Sequence, residues 1–147
     1  MTDKNLKEQI QILINHFNTR NFDHVISKGK ILSKKNPEYI ILYNLIGSSY
    51  QSKGNYLKAK SFFKDGLKLE PNNQALMNNL ATSYKNLLQY SQSEELYKKI
   101  IENNKNYINA YINLGNLKRD INKFEEAIEL YSKALKINNQ NPLVYYS

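Results

Sequence analysis

Hydrophobic positions return along the chain at one fixed interval, with short polar stretches between them. The aromatic residues Phe22, Tyr56, Tyr90 and Phe124 stand 34 residues apart. That period is too long for one helix and suits a helix-turn-helix pair, so each unit is expected to bury one face against its neighbours. Blocks at residues 6–39, 40–73, 74–107 and 108–141 align without a gap. In them Ile12, Ile46, Leu80 and Leu114 form an aliphatic column. The next column, Leu13, Gly47, Ala81 and Gly115, is small in the last three blocks, and Val25, Ala59, Ser93 and Ala127 form a second narrow one. Small side chains there let the two helices of a hairpin approach closely. Phe63, Tyr97 and Tyr131 supply the bulk beside that contact. Phe22, Tyr56, Tyr90 and Phe124 are expected to be packing positions in the second helix of each hairpin, building the scaffold rather than touching a ligand.

The polar stretches at residues 18–21, 52–55, 87–89 and 120–123 are the expected hairpin turns. Those at 36–37, 70–73, 103–106 and 138–142 separate the units, and three of them contain Pro37, Pro71 or Pro142. Proline disfavours helix in the residue before it and suits the first turn of the next helix, so these segments end one unit and start another. The pattern predicts eight helices of about 12–15 residues and no strand. The fold class is therefore all-α, a solenoid of antiparallel helix-turn-helix repeats.

Composition changes this picture little. A hydrophobic fraction of 41% and an aromatic fraction of 12% suffice for a core among 147 residues. There are no cysteines, which removes disulfides and thiolate chemistry and fits a reducing, cytoplasmic setting. The polar start of the chain lacks the apolar core of a signal peptide, and no apolar run approaches the ~20 residues that span a bilayer; no membrane association is expected. The net charge of +8 raises the question of a polyanion. Its lysines, among them Lys28, Lys30, Lys34, Lys35, Lys58, Lys60, Lys64 and Lys68, are scattered over the second helices, on the side expected to face solvent.

The columns resemble the tetratricopeptide repeat family, and the likeness covers residues 6–141. The second block carries it best, with Tyr43, Ile46-Gly47, Tyr50, Ala59, Phe63, Gly66 and Pro71. The fourth has Tyr111, Leu114-Gly115, Ala127, Tyr131 and Ala134, with Lys118 in place of the tyrosine and Asn139 in place of the proline. The third keeps Tyr84 and Tyr97 but has Met77, Ala81, Ser93, Ile100 and Lys105. The first is degenerate, since Gln9, His16, Val25 and Gly29 fall outside the pattern, as suits an end unit that faces water. Residues 142–147 repeat the opening of a first helix, with Tyr145 one period after Tyr111, and read as the start of a truncated fifth repeat of a longer protein.

The resemblance implies a right-handed superhelix whose first helices line a concave face that takes an extended peptide. Inward places hold Ile41, Asn44, Ser48 and Gln51, then Ala75, Asn78, Thr82 and Lys85, then Asn109, Ile112, Asn116 and Arg119. An amide side chain both donates and accepts, so a row of asparagines can hold a peptide backbone whatever its sequence. Asn79 and Asn113 sit where O-linked N-acetylglucosamine transferases carry an asparagine ladder, although Leu45 breaks the row. The carboxylate clamp of chaperone-binding members is not carried over, because Asn44 with Ser48, Asn78 with Thr82, and Ile112 with Asn116 lack its lysine-asparagine pair. Lys85 and Arg119 would favour an acidic peptide.

No catalytic, cofactor-binding or metal-ligating residue is expected. His16 falls at an inward, packed place and His24 on a polar edge. Glu94-Glu95 and Glu125-Glu126 start second helices, where the dipole favours acids. The function expected is a protein-protein interaction scaffold. The alternative is a substrate-recruiting region of a larger enzyme, of glycosyltransferase or sulfotransferase type, with its catalytic domain beyond Ser147. RNA binding is the weaker third reading, because RNA-reading helical repeats usually keep a 35-residue period. The oligomeric state is not fixed by any of these features.

Overall fold

The computed structural model describes residues 3–139, and within them the chain forms eight helices and no strand. They are α1 (Asp3–Asn18), α2 (Phe22–Lys35), α3 (Ile40–Ser52), α4 (Tyr56–Leu69), α5 (Gln74–Asn86), α6 (Tyr90–Asn103), α7 (Ile108–Asp120) and α8 (Phe124–Asn139). Each helix packs on the one before and the one after it. The fifth unit expected at residues 142–147 lies outside the described residues.

Each hairpin turn is the same device. Arg20, Gly54, Leu88 and Asn122 occupy the same place in successive units and all have positive φ, between 60° and 75°. The following amide bonds back to the carbonyl five residues earlier, as Asn55 does to Tyr50 and Gln89 to Tyr84. The left-handed residue itself bonds three residues back, as Gly54 does to Gln51. This is a Schellman ending, which satisfies orphan carbonyls and sends the chain straight into the second helix. Glycine serves the left-handed conformation at one turn only; Arg20 and Asn122 stand in polar turns, and the turn at Leu88, preceded by Leu87, was marked in sequence only by the 34-residue register.

Within a hairpin, one close approach holds the helices together. A methyl group placed on Gly47 would lie 2.5 Å from the Phe63 ring, and one on Gly115 would lie 2.6 Å from the Tyr131 ring. The third unit sets Ala81 beside Tyr97, both 0% exposed. In the first unit the sizes are exchanged: Leu13 stands at the glycine place and Gly29 at the aromatic place, with both buried. The first block is thus an inverted version of the same contact. Val25, Ala59, Ser93 and Ala127 are all buried, as their column predicts, and Ser93 Oγ donates to the Ala81 carbonyl at 2.8 Å.

Between hairpins a second exchange of sizes operates. Gly66 receives Leu76 of the next unit, while Ile100 shares a buried cluster with the small Ala110 of the unit after it. The aliphatic column faces the preceding hairpin, since Ile46 packs onto Gly29. Ile46, Leu80 and Leu114 are buried, but Ile12 is 51% exposed because no hairpin precedes it among the described residues. The neighbouring outward places of this unit carry the exposed Glu8 and Lys28. His16 is half-buried, not packed in the core as expected from sequence, and its ring lies tilted 4.0 Å from that of His24, which is also half-buried.

The aromatic column needs a correction too. Its members are the first residues of α2, α4, α6 and α8, at the edge beside the turn, and Phe22, Tyr56 and Tyr90 are only half-buried. Tyr90 is covered from the following hairpin, against a cluster that includes Ala110, Leu114 and Leu117. Phe124 is 52% exposed, and with Ile128 and Leu135 it forms an apolar outer face on α8, which no described hairpin covers.

Candidate functional site

Each first helix touches the next first helix, α1 with α3, α3 with α5 and α5 with α7, and no two second helices pack to that extent. The first helices therefore line the inner side of the array. The residues expected to bind lie on them, and most are held in small hydrogen-bonded groups.

Asn79 Nδ2 donates to Asn44 Oδ1 at 2.9 Å, and one unit further on Asn113 Nδ2 donates to Asn78 Oδ1 at 3.0 Å. Ser48 Oγ lies 3.5 Å from the same Asn79 amide. Gln51 Nε2 donates to the Asn79 carbonyl at 3.0 Å and to Ser83 Oγ at 3.1 Å. The Thr82 and Tyr97 hydroxyls lie 2.9 Å apart, and Tyr131 Oη donates to Asn116 Oδ1 at 2.8 Å. In those two units the residue on the inner face is fixed by a tyrosine from its own hairpin. Phe63 has no hydroxyl, and Ser48 faces Asn79 instead. Burial pushes the Tyr97 phenol up to about 12, so it stays a neutral partner for Thr82. Asn109 is exposed at the start of α7.

The cations at the far end of the row are engaged. Lys85 Nζ sits 2.9 Å from Asp120 Oδ2, and Arg119 reaches Asp120 Oδ1 at 3.1 Å. The hydrogen bond from Lys85 holds the Asp120 carboxyl below the ordinary carboxylate range against a smaller upward push from burial, and Arg119 adds to it. Asp120 was not singled out in sequence. A signal existed, because Lys85 and Asp120, like Asn44 and Asn79 or Asn78 and Asn113, are separated by 35 residues, one period plus one.

Lys118, which replaces a family tyrosine, is 4% exposed at the junction of α6, α7 and α8. It bridges Glu94 at 2.9 Å and Glu126 at 2.6 Å. Burial opposes its charge, yet the bonds to Glu126 and Glu94 outweigh that and raise its pKa. Burial also pushes Glu94 up, and the bonds from Lys118 and Lys98 more than reverse it, leaving the carboxyl below its ordinary value. Glu126 stands in the first turn of α8, where the dipole favours an acid, whereas Glu94 lies past the first turn of α6, so the helix-start role expected for it is not seen and both glutamates serve to join helices. Among the described residues no group of three or more acids or histidines is placed to hold a metal, and no helix is long and apolar enough to cross a membrane.

Stacked hairpins whose cross-unit bonds recur at one lag define a helical-repeat solenoid. A tetratricopeptide repeat model matches residues 40–73, the second block, another matches 96–129, and a TPR repeat model matches 115–147. The chain belongs to the tetratricopeptide repeat family. Its fold is similar to that of TTC0263, a thermophilic TPR protein in Thermus thermophilus, at 19% identity and a TM-score of 0.80 over 90% of this chain and 73% of that one. It is also similar to MamA from Desulfovibrio magneticus RS-1, at 14% identity and a TM-score of 0.82 over 93% and 77% of the two chains. A further crystal structure of MamA gives 21% identity and a TM-score of 0.75 over 86% and 74%. No curated protein matches the chain.

Proposed function

We propose that the chain is a protein-interaction scaffold that holds an extended peptide along the inner face of α3, α5 and α7. The observation that carries this reading is the paired amides. Asn44 and Asn78 accept through Oδ1 and keep their Nδ2 donors, whereas Asn79 and Asn113 donate and keep acceptor capacity. Each side chain is oriented by its partner before a ligand arrives, which lowers the ordering cost of binding. Alternating donors and acceptors are what an extended backbone requires. At the end of the row two cations share one carboxylate, Lys85 and Arg119 against Asp120, and the surplus positive charge supports a preference for an acidic residue there.

The test is to select peptides from a display library on the wild-type chain and re-measure them on an Asn78→Leu, Asn113→Leu variant. A loss of about tenfold or more with an unchanged melting point is expected, as for lost hydrogen bonds in a binding groove. Equal affinity of the selected peptides for both proteins would remove the inner face from binding. Lys85→Glu with Arg119→Glu should shift selection away from acidic peptides, and unchanged selection would discard that preference.

A further inference from the structure

At the eleventh place of the second, third and fourth units stand Tyr50, Tyr84 and Lys118, each at a junction between hairpins. Around Lys118 the charged neighbours are carboxylates. Over the two tyrosine rings they are cationic. Lys30 Nζ donates to Tyr50 Oη at 2.6 Å and lies 5.1 Å from the centre of that ring, and Lys58 lies 5.4 Å from it. Lys60 and Lys64 stand 5.4 Å and 5.7 Å from the centre of the Tyr84 ring. Phe62 stacks on Tyr50 at 5.7 Å and extends the apolar floor beneath Lys30.

Lys53, Lys68, Lys85, Lys98, Lys118 and Lys123 are paired with acids. Lys30, Lys58, Lys60 and Lys64 make no ion pair among the described residues, although they converge on two rings one repeat apart. Lys58 stands on one flank of α4, toward Tyr50, and Lys60 and Lys64 stand on the other, toward Tyr84, so two lysine pairs border the outer face of that one helix. Holding like charges together costs energy, and ring faces return only about 0.5–1 kcal/mol each at exposed sites. A ligand carrying several negative charges removes that cost and meets ammonium groups already held in place by the rings.

We propose that this patch is a second binding surface, separate from the inner asparagine row, and that its ligand is an acidic peptide segment of a protein partner. Carboxylates fit it better than nucleic acid. The tyrosine faces are covered by ammonium groups, so bases find no ring on which to stack. Ammonium groups remain the only contacts, and a run of aspartate or glutamate side chains matches them.

The experiment measures binding of a fluorescent peptide of about ten glutamates, and of a single-stranded RNA of equal charge, at about 50 and about 150 mM salt. Four proteins are compared. They are the wild type, the patch variant Lys30→Gln, Lys58→Gln, Lys60→Gln, Lys64→Gln, the same four positions changed to arginine, and a control with Lys34→Gln, Lys35→Gln, Lys133→Gln, Lys136→Gln. The patch variant should bind the peptide at least about tenfold more weakly, the arginine variant should keep wild-type affinity, and the control should stay within about threefold. The arginine variant keeps the test valid if the glutamine variant is poorly folded, since it retains charge and ring contact alike. The proposal is overturned if the control loses as much as the patch variant, because net charge alone then accounts for binding. It is also overturned if the peptide fails to bind the wild type, or if RNA outcompetes it at the higher salt. Asn78→Leu with Asn113→Leu should leave this binding unchanged, which separates its failure from failure of the inner face.

Discussion

Gly47→Ala tests whether the close approach inside each hairpin is what holds the fold. The new methyl carbon would lie 2.5, 2.8 and 2.9 Å from three atoms of the Phe63 ring, against about 3.5–4.0 Å for carbons in ordinary contact. Phe63 is 0% exposed, so the ring cannot swing into solvent and it or α4 must move by about 1 Å. Helix propensity alone favours alanine over glycine by about 1 kcal/mol. Overpacking a filled core costs about 1–3 kcal/mol, so the expected net effect is destabilisation by about 1 kcal/mol. Ala81 beside Tyr97 in the third unit argues for the lower end, because there the hairpin already accommodates one methyl group. Urea unfolding followed by helical circular dichroism gives the sign. A stronger form transplants the first unit's solution, Leu13 with Gly29, into the second. Gly47→Leu alone should cost about 3 kcal/mol or more, and Phe63→Gly alone about 3–5 kcal/mol. The double variant should be about 2 kcal/mol better than their sum. Additivity within about 0.5 kcal/mol, or a raised midpoint for Gly47→Ala, would refute the contact as the organising one.

Leu88 holds φ 60° and is 71% exposed, so Leu88→Gly should relieve about 1–2 kcal/mol of left-handed strain, less about 0.5–1 kcal/mol of glycine entropy. A thermal midpoint raised by a few degrees is expected, and a lowered one would show that the leucine side chain contributes more than its backbone costs. Glu94 and Asp120 both have carboxyls held below their ordinary values by lysine partners. The unfolded chain therefore binds more protons at low pH, so their contribution is complete above about pH 4–4.5 and is lost as pH falls toward the depressed folded values. Urea midpoints should fall on acidification below that point, and less steeply in a Glu94→Gln, Asp120→Asn variant; parallel slopes in the two proteins would contradict the assignment.

Much of the fold was legible because a repeat states each contact several times. One interval placed eight helices, and the small columns identified the faces that meet. The first unit departs from the repeat pattern because Leu13 and Gly29 each break their own column while keeping their joint size. A column is read down the sequence, but packing acts across two columns, so an exchange looks like two errors. Phe124 and Ile12 were placed in packing columns whose other members are covered, fully for Ile46, Leu80 and Leu114 and by half for Phe22, Tyr56 and Tyr90. Burial in a stack comes from the neighbouring unit, so the same residue type at the same place is exposed where no such unit lies among the described residues.

The site was legible by face but not by partner, and the difference changes its chemistry. Asn44, Asn78, Asn79 and Asn113 were counted as separate groups available to a peptide, whereas each spends one hydrogen bond on its partner. What remains is directional. Donors persist on the fifth-place residues and acceptors on the sixth, so a ligand strand must present its own groups in matching order to use both. The cations shift in the same way. Lys85 and Arg119 looked unopposed in sequence, and Asp120 partly neutralises them; the lysines of the second helices looked uniformly solvated, and Lys30 and Lys60 are half-buried beside tyrosines of the next hairpin. Two cations share one carboxylate at the end of the inner row, whereas Lys30 on α2 and Lys58, Lys60 and Lys64 on α4 have no acid partner among the described residues. An acidic partner would therefore be drawn to the lysines beside Tyr50 and Tyr84 as well as to the end of the inner row.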